Sequence, residues 1–242
     1  MLEILFENQD LIILNKPAGI MVHADGKSEN ETLVDLVLQK YPSIKGVGDP
    51  ATFDGEPVER SGVVHRLDKE TSGVIIFAKH QEAFLYLKQQ FKDRTVHKEY
   101  HAFVWGHFKE DKGFVDEPIG RNKNDFRKWT AGRGIRGEVR EAYTNWEVVR
   151  SFADEKEEKF SFVRLFPKTG RTHQLRVHMK YLQRPIVSDH IYAESFPDAL
   201  GFGRVALHAK RVSLLGLSGE SIEIEAPYQP DFAAALARYT VL

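Results

Sequence analysis

The chain has 242 residues, of which 42% are hydrophobic and 29% charged, a composition typical of a globular protein with a substantial buried core. It contains no cysteine, which excludes disulfide bonds and thiolate chemistry and fits a reducing, cytoplasmic location. The net charge is −1, no apolar run could span a bilayer and no signal peptide is recognisable, so we expect no membrane association.

Hydrophobic periodicity and turn residues divide the chain into strands and helices. The first half is predicted to contain, in chain order, a hairpin of strands Glu3–Phe6 and Leu11–Leu14, a helix at Thr32–Leu38, a loop at 42–60, a strand at Val74–Ala78, a helix carrying Phe84, Leu87 and Phe91, and a strand at Val96–Trp105. The second half is predicted to contain an exposed basic loop at 121–137, strands Ala142–Val149 and Phe160–Phe166, a helix at Thr172–Leu182, strands Val205–Leu215 and Ile222–Ala226, and a closing helix at Asp231–Tyr239. Many strands in hairpins, with few helices, indicate an α+β fold with a largely antiparallel sheet.

The charges are distributed unevenly along the chain. Segment 121–140 holds seven basic and two acidic residues, and segment 164–184 holds six basic residues and no acid. Acidic residues collect instead at 154–158 and 220–231. This asymmetry indicates one basic face suited to nucleic acid and one solvated acidic face, although local charge excess also arises by chance.

The most informative segment is Val64-His65-Arg66-Leu67-Asp68-Lys69-Glu70-Thr71-Ser72-Gly73, which leads into the predicted strand Val74–Ala78. A carboxylate between two basic neighbours, on a loop at a strand edge, is how a protein presents an ionised nucleophile or base. The alternative is that Asp68 only caps a turn, a common role for Asp before Ser-Gly. The segment taken alone does not decide between the two.

This segment resembles the H-R-L-D-x-x-T-S-G signature of RluA-type pseudouridine synthases. Four further segments match motifs of that family in the same order: Asn15-Lys16-Pro17-Ala18-Gly19 with Val22-His23, Lys98 to Gly106, Lys168 to His178, and Arg184 to Val187 with Leu207 to Ala209. The resemblance covers nearly the whole chain. It departs at Ser188, where the family usually has glycine, which suggests a slightly different turn.

The resemblance implies the pseudouridine synthase fold, a long mixed, mainly antiparallel sheet with flanking helices and a central cleft. The family often adds a small N-terminal RNA-binding domain before the N-K-P motif. Here that motif begins at Asn15, so we expect a single catalytic domain over 1–242 and no separate RNA-binding domain. The reaction that the resemblance implies, isomerisation of uridine to pseudouridine, needs no redox step and no metal. The ten histidines form no H-E-x-x-H pattern, so we expect no cofactor and no metal site.

The resemblance also assigns the catalytic residues. It places the essential carboxylate on Asp68, acting as nucleophile or as base. Arg171 is the expected partner, because a guanidinium can hold a carboxylate through two hydrogen bonds. Tyr100 is expected to pack against the target base and to assist proton transfer at C5, although periodicity alone would place it in the core.

A second group of residues is predicted to contact RNA. Arg66 resembles the family arginine that occupies the space left by the flipped uridine, and a phosphate contact is the alternative. The other predicted contacts are Lys16, His173 and Arg176 in the matched motifs, and Arg127, Lys128 and Trp129 in the basic segment, where Phe126 could also stack on bases. For His65, His173 and His178 a buried, hydrogen-bonded histidine is the alternative.

The function predicted from the sequence is therefore an RNA pseudouridine synthase, acting as a monomer on ribosomal or transfer RNA. The segment from Val63 to Gly120 resembles the large-subunit ribosomal RNA branch more closely. A non-catalytic RNA-binding or ribosome-assembly factor on the same fold is the second reading, and the joint presence of Asp68, Tyr100 and Arg171 argues against it. A glycoside hydrolase would need a second carboxylate in a matched motif, and none is present.

Overall fold

A computed structural model describes residues 2–24, 30–50, 52–53 and 56–239. The strands are β1 (Ile4–Glu7), β2 (Leu11–Lys16), β3 (Thr52–Phe53), β4 (Glu56–Pro57), β5 (Ser72–Ala78), β6 (His97–Trp105), β7 (Lys112–Asp116), β8 (Ile119–Asn122), β9 (Trp129–Ala131), β10 (Ile135–Arg140), β11 (Tyr143–Ala153), β12 (Lys159–Pro167), β13 (Leu207–Leu215) and β14 (Ser221–Glu225). The helices are α1 (Leu33–Lys40), α2 (Gln81–Lys92), α3 (Gln174–Tyr181) and α4 (Pro230–Tyr239), with a short 3₁₀ turn at Pro42–Ile44.

The chain divides into two compact units. Unit 1 comprises residues 1–97 and 209–227, and unit 2 comprises residues 98–208 and 228–242. Every strand pairing whose register is described is antiparallel, and the predicted α+β class is confirmed. The expected single domain and central cleft stay predictions.

Unit 1 is built on strands β1, β2 and β5 in that order, with β13 beside β5 and β14 paired to β13. Both faces of the central strands are covered: every residue of β2 and of β5 is buried. Continuous apolar runs such as these are what a strand inside a covered sheet requires. Helix α2 packs its apolar stripe, which includes Phe84 and Leu87, against this core.

Unit 2 is built on strands β6, β12, β11 and β7, in that spatial order. Its core contains many aromatic residues from the strands and from α4, with Phe103, Phe160 and Phe232 fully buried. Burial of such large side chains is the main source of stability in a domain of this size. Strand β7 pairs only with β11 in this order, so it forms an edge.

The expectation of an exposed loop at 121–137 is wrong. Residues 119–140 form a three-stranded antiparallel sheet in the order β10–β8–β9, which we call the basic sheet. The strands were not recognised in the sequence because few of their side chains are buried and several are charged, which leaves no alternation of apolar and polar residues. Ile119 and Ala131 are among the few buried side chains of the sheet. These two side chains pack with Val177 of α3, and this contact anchors the basic sheet to the rest of unit 2. Among the described residues, no helix is long and apolar enough to cross a membrane.

Candidate active site

Asp68 lies in a tight turn between the buried Leu67 and strand β5, and its side chain is half-buried. The turn is closed by the main chain, since the Thr71 N–H donates to the Asp68 carbonyl oxygen at 3.1 Å. The carboxylate is therefore not required to close the turn, which argues against a role restricted to capping. Leu67, Thr71 and Ser72 are all buried, so both sides of the turn are fixed in unit 1.

Lys16 holds the Asp68 turn against the end of β2. Its side chain is fully buried, and its ammonium donates to the carbonyl oxygens of Pro17, Ile20 and Lys69 at 2.9, 2.8 and 2.9 Å. The Gly19 N–H donates to the same Lys69 carbonyl at 2.9 Å. An ammonium has three protons, and three carbonyl groups accept them here. Lys16 thus serves the structure of the turn, which corrects the prediction that it contacts RNA.

Two further motif residues fix the start of β5. His65 Nε2 accepts the Ile76 N–H at 3.0 Å, and the ring stacks on Phe91 with centroids 4.9 Å apart. Gly73 has φ +110°, and a Cβ on it would lie 2.1 Å from the Ala209 carbonyl oxygen. Only glycine permits this approach of the two backbones. The conformation of the loop that carries Asp68 is therefore specified from both ends.

The Thr169–Arg171 turn, in unit 2, is held by a buried hydrogen-bond network. Thr169 Oγ1 donates to Gln174 Oε1 at 2.7 Å and accepts the Tyr143 N–H at 3.0 Å. Gln174 Oε1 also accepts the Arg171 N–H at 3.0 Å, and Gln174 Nε2 donates to Tyr143 O and Thr144 Oγ1, each at 3.0 Å. Because the buried amide is fully used, the backbone of Arg171 has one defined position.

The Arg171 side chain is half-buried, and its Nε donates to the Glu141 carbonyl oxygen at 2.9 Å. Its terminal nitrogens make no hydrogen bond with the part of the chain that the structure describes. They are available for a carboxylate or for substrate oxygen atoms. Asp68 belongs to unit 1 and Arg171 to unit 2, and their pairing stays a prediction.

Tyr100 lies in β6 opposite Leu165, half-buried against the core of unit 2. Lys98 lies two residues earlier and therefore on the same face of the strand. Its Nζ is 3.4 Å from the Thr169 carbonyl oxygen, and burial lowers its pKa to about 8. A lysine with a lowered pKa beside a motif turn is a candidate functional residue. Lys98 was recognised as part of a matched motif but was given no role, although its spacing from Tyr100 was a usable signal.

Arg176 is not an RNA contact but half of a buried ion pair. Its Nε and Nη2 each donate to a carboxylate oxygen of Asp189 at 2.7 Å, with side chains 8% and 0% exposed. Asp189 also accepts the N–H groups of Ile191 and Tyr192 at 3.1 Å. The prediction for Arg176 is corrected, because it ties α3 to the segment that follows this helix instead of facing solvent. The neighbouring Ser188 has φ +54°, a conformation that glycine adopts most easily, and its hydroxyl donates to the Phe202 carbonyl oxygen at 2.9 Å.

The two motif histidines in unit 2 are also engaged with the protein. His173 is half-buried at the start of α3, with φ +56°, and its Nδ1 lies 2.8 Å from the Tyr192 hydroxyl. His178 is fully buried, 2.9 Å from Thr144 Oγ1 and 3.1 Å from the Glu117 carbonyl oxygen. Burial lowers the pKa of His178, so its ring is neutral at physiological pH. For both, the hydrogen-bonded alternative describes the structure.

Arg66 is exposed on the flank of the Asp68 turn, as a contact to RNA would require. The nearby Arg60 is half-buried, and its pKa is lowered by burial and by the positive charge of Arg66. No carboxylate of the described chain forms an ion pair with either guanidinium. Two cations placed together in this way favour an anion such as phosphate between or beside them.

The basic sheet carries the remaining predicted contacts. Arg127 donates to both carboxylate oxygens of Asp125, at 3.1 and 2.9 Å, and Lys128 pairs with Glu194. The Trp129 ring is half-buried, with the Arg121 guanidinium 4.4 Å from its centroid. Lys123, Arg133 and Arg136 are exposed and have no carboxylate partner among the residues described. Arg121 is also exposed without such a partner, but its guanidinium bonds the Phe126 carbonyl oxygen and covers the Trp129 ring, whereas the Phe126 ring is 82% exposed. The cations of the basic sheet that lack an acidic partner therefore differ from Arg127 and Lys128, which were predicted to contact RNA.

The second basic segment, residues 164–184, has fewer cations available to bind RNA than its composition suggested. Arg164 pairs with Glu147, Arg176 is buried, and Arg184 donates from Nε to the His107 carbonyl oxygen at 2.8 Å. Within the described chain, Lys168 and Lys180 are its two exposed cations that have no carboxylate partner. No group of three or more potential metal-ligating side chains converges among the residues described.

Comparison with known proteins supports this arrangement of motifs. Residues 10–181 match the family model described as RNA pseudouridylate synthase. The chain is 36% identical over 236 residues to an uncharacterised RNA pseudouridine synthase of Synechocystis sp., covering 97% of this chain and 68% of the relative. It is 38% identical over 222 residues to ribosomal large subunit pseudouridine synthase D of Borreliella burgdorferi, covering 92% of this chain and 60% of the relative.

The fold is similar to that of a solved human protein, RNA pseudouridylate synthase domain containing 1. The TM-score is 0.75 at 26% sequence identity, and the alignment covers 97% of this chain and 87% of the human chain. The chain thus spans most of the solved domain, but only about two thirds of the length of the two bacterial relatives.

Proposed function

The chain belongs to the RNA pseudouridylate synthase family, and on this premise we propose that it isomerises uridine to pseudouridine in large-subunit ribosomal RNA, with Asp68 as the essential carboxylate. We propose further that it acts in the cytoplasm as a monomer. The preference for ribosomal RNA is supported by the similarity to the Borreliella burgdorferi protein, whose name specifies the large ribosomal subunit.

The observation that carries the catalytic part is the construction of the Asp68 turn. Isomerisation breaks the N-glycosidic bond, turns the uracil and rejoins it through C5, and this requires a carboxylate at the sugar–base junction. The main-chain bond to Thr71 and the three carbonyl bonds of Lys16 hold the turn in place. A carboxylate carried on a support that other groups make rigid suits a nucleophile or base.

Arg171 and Tyr100 supply the supporting chemistry in this proposal. The terminal nitrogens of Arg171 can hold the Asp68 carboxylate or an oxygen atom of the substrate, since its Nε is the nitrogen that bonds Glu141. Tyr100 is half-buried, so it can offer an aromatic surface to the uracil and a hydroxyl for proton transfer at C5. Arg66 is exposed beside the turn, where it can accompany the flipped nucleotide.

RNA capture is assigned to the basic sheet. Lys123, Arg133 and Arg136 are exposed without carboxylate partners in the described ranges, so their charges are available to phosphates. The paired Arg127 and Lys128 contribute less, because contact with phosphate would first have to displace Asp125 or Glu194. Phe126 can stack on an unpaired base, whereas Trp129 is already covered by Arg121.

The test replaces Asp68 by Asn in cells that otherwise lack the protein, and maps pseudouridine in ribosomal and transfer RNA. Wild type should restore at least one pseudouridine in large-subunit ribosomal RNA, and Asp68→Asn should restore none while the purified variant binds the same RNA as well or better. Glu70→Gln is the matched control, because it removes a half-buried carboxylate from the same turn and should keep activity.

The outcomes separate the parts of the proposal. If Asp68→Asn keeps a tenth of the wild-type rate, the catalytic assignment is wrong. If the restored pseudouridine lies in transfer RNA, the target assignment is wrong and the catalytic one stands. If wild type binds RNA but restores no pseudouridine in any RNA, the protein is the non-catalytic binding factor considered as the second reading.

A further inference from the structure

One face of unit 2 carries aromatic and basic side chains on three neighbouring strands. In the register of β7, β11 and β12, Phe114 lies opposite Asn145, which lies opposite Phe166, and Lys112, Glu147 and Arg164 form the adjoining row. The residues between them, Val115, Thr144, Trp146 and Leu165, point into the protein and are buried. We call the outer side the aromatic face; it comprises Lys112, Phe114, Asp116, Tyr143, Asn145, Glu147, Arg164, Phe166 and Lys168.

The aromatic face has an ordered stack at the sheet edge. The rings of Phe114 and Tyr143 are nearly parallel, at 8°, with centroids 5.6 Å apart. The Phe114 residue is 62% exposed to solvent. Its exposed ring offers a flat surface on which a planar group of a partner can stack. The stack is also rigid, because the Tyr143 main chain is bonded to Thr169 and Lys168.

The charges around the stack favour an anionic partner. The Lys168 ammonium lies 4.5 Å from the centroid of Tyr143, and the Arg164 guanidinium lies 5.8 Å from that of Phe166. Glu147 is neutralised by Arg164. Lys112 and Lys168 are exposed and have no carboxylate partner among the described residues. Asp116 is the one acid of the face that no ion pair within the described ranges neutralises, so the cations are in excess.

We propose that the aromatic face binds unpaired nucleotides of the substrate RNA, with one base stacked on Phe114 and phosphates at Lys112 and Lys168. Sheet faces that carry exposed aromatic rings beside basic side chains bind single-stranded RNA in this way, because every base has a flat face and every linkage a negative charge. A protein partner is less favoured, since Asn145 separates Phe166 from the Phe114–Tyr143 stack and the face carries no continuous apolar patch. The face consists of residues other than those of the Asp68 turn and of the basic sheet.

Binding of a fluorescein-labelled 12-nucleotide oligouridylate, measured by anisotropy, tests the proposal. Phe114→Ala should weaken binding about 5- to 150-fold, as loss of one stacked base does. Phe114→Tyr should restore it, and Phe114→Leu should not, because leucine is apolar but cannot stack. The double change Lys112→Gln with Lys168→Gln should flatten the logarithmic salt dependence by about 1.4, or about 0.7 for each phosphate that is no longer neutralised. Leu85→Ala, an apolar residue 54% exposed on α2, is the matched control and should change neither quantity.

Three results would overturn the proposal. Unchanged oligouridylate affinity in Phe114→Ala would remove the stacking contact. Full rescue by Phe114→Leu would indicate a simple apolar contact. A wild-type dimer that Phe114→Ala converts to a monomer in light scattering would assign the face to a second copy of the chain. None of these readouts requires isomerisation, so they are independent of the proposed role of Asp68.

Discussion

Replacing Lys98 by Met should stabilise the protein at neutral pH. The Lys98 ammonium lies in unit 2 near the Thr169 carbonyl oxygen, and burial lowers its pKa from 10.5 to about 8. This difference of 2.5 pH units corresponds to about 3 kcal/mol against the charged form in the folded state. The side chain keeps some contact with solvent, which reduces the expected gain in the free energy of unfolding to about 2 kcal/mol.

The sign of the pH dependence follows from the direction of the shift. Between pH 8 and 10.5 the unfolded chain binds a proton at Lys98 that the folded chain does not, so the stability of wild type rises with pH across this window. The advantage of Lys98→Met should therefore be full below pH 8 and should vanish by about pH 10.5. Urea unfolding of both proteins at pH 7 and pH 10.5 measures this difference, and the groups common to both cancel.

Lys180→Met is the control, because Lys180 is an exposed lysine of α3 without an ion pair in the described chain. It should change stability by less than about 0.5 kcal/mol at either pH. A Lys98→Met protein that is less stable than wild type at pH 7, or whose advantage persists at pH 10.5, would refute the desolvation argument. If the function requires the positive charge of Lys98, the more stable Lys98→Met variant should also turn over substrate more slowly, because stability and activity are often opposed at active sites.

Two other predictions follow from the site and from the basic sheet. Arg171→Lys should lower the single-turnover rate at least tenfold, because lysine lacks the planar pair of terminal donors that can grip an oxygen pair while Nε bonds the Glu141 carbonyl. Arg184→Lys, which also replaces an Nε bonded to a carbonyl oxygen, should leave the rate unchanged, and equal rates for both variants would remove Arg171 from the site. Changing Arg133 and Arg136 to Gln should weaken RNA binding and flatten its salt dependence more than changing Arg127 and Lys128 to Gln. The reason is that the first pair has no acidic partner in the described chain, whereas the second pair has. Filter-binding titrations that give the reverse order would contradict the charge assignment.

The strands and helices with strong periodicity were predictable from the sequence. Strands β2 and β5 read as apolar runs because both of their faces are covered, and α2 shows its buried stripe through Phe84 and Leu87. The basic sheet was not predictable in the same way. Its strands are short and charged, and they are held by hydrogen bonds to one another and by a few contacts to α3, which leave no alternating apolar pattern.

The candidate site was likewise predictable from the sequence only in part. The resemblance of the motifs pointed to Asp68, Tyr100 and Arg171 as the candidate catalytic residues. It did not reveal which motif residues serve the support and which face the substrate. Lys16 belongs to the N-K-P motif and Arg176 to the motif of Arg171, and both prove to be buried and bonded. A motif records every residue that a site cannot lose, whether it touches substrate or holds a turn, and only the burial of each side chain separates the two groups.

The aromatic face could not be found from the sequence either. Phe114, Tyr143 and Phe166 are separated by up to 52 positions, and none lies in a pattern that distinguishes it from a core aromatic. Their common side follows only from the register of β7, β11 and β12, and register depends on the whole sheet. Sites whose members are brought together by strand pairing are therefore the ones that a structure adds to a sequence, whereas sites built on one loop, such as the Asp68 turn, are already visible in it.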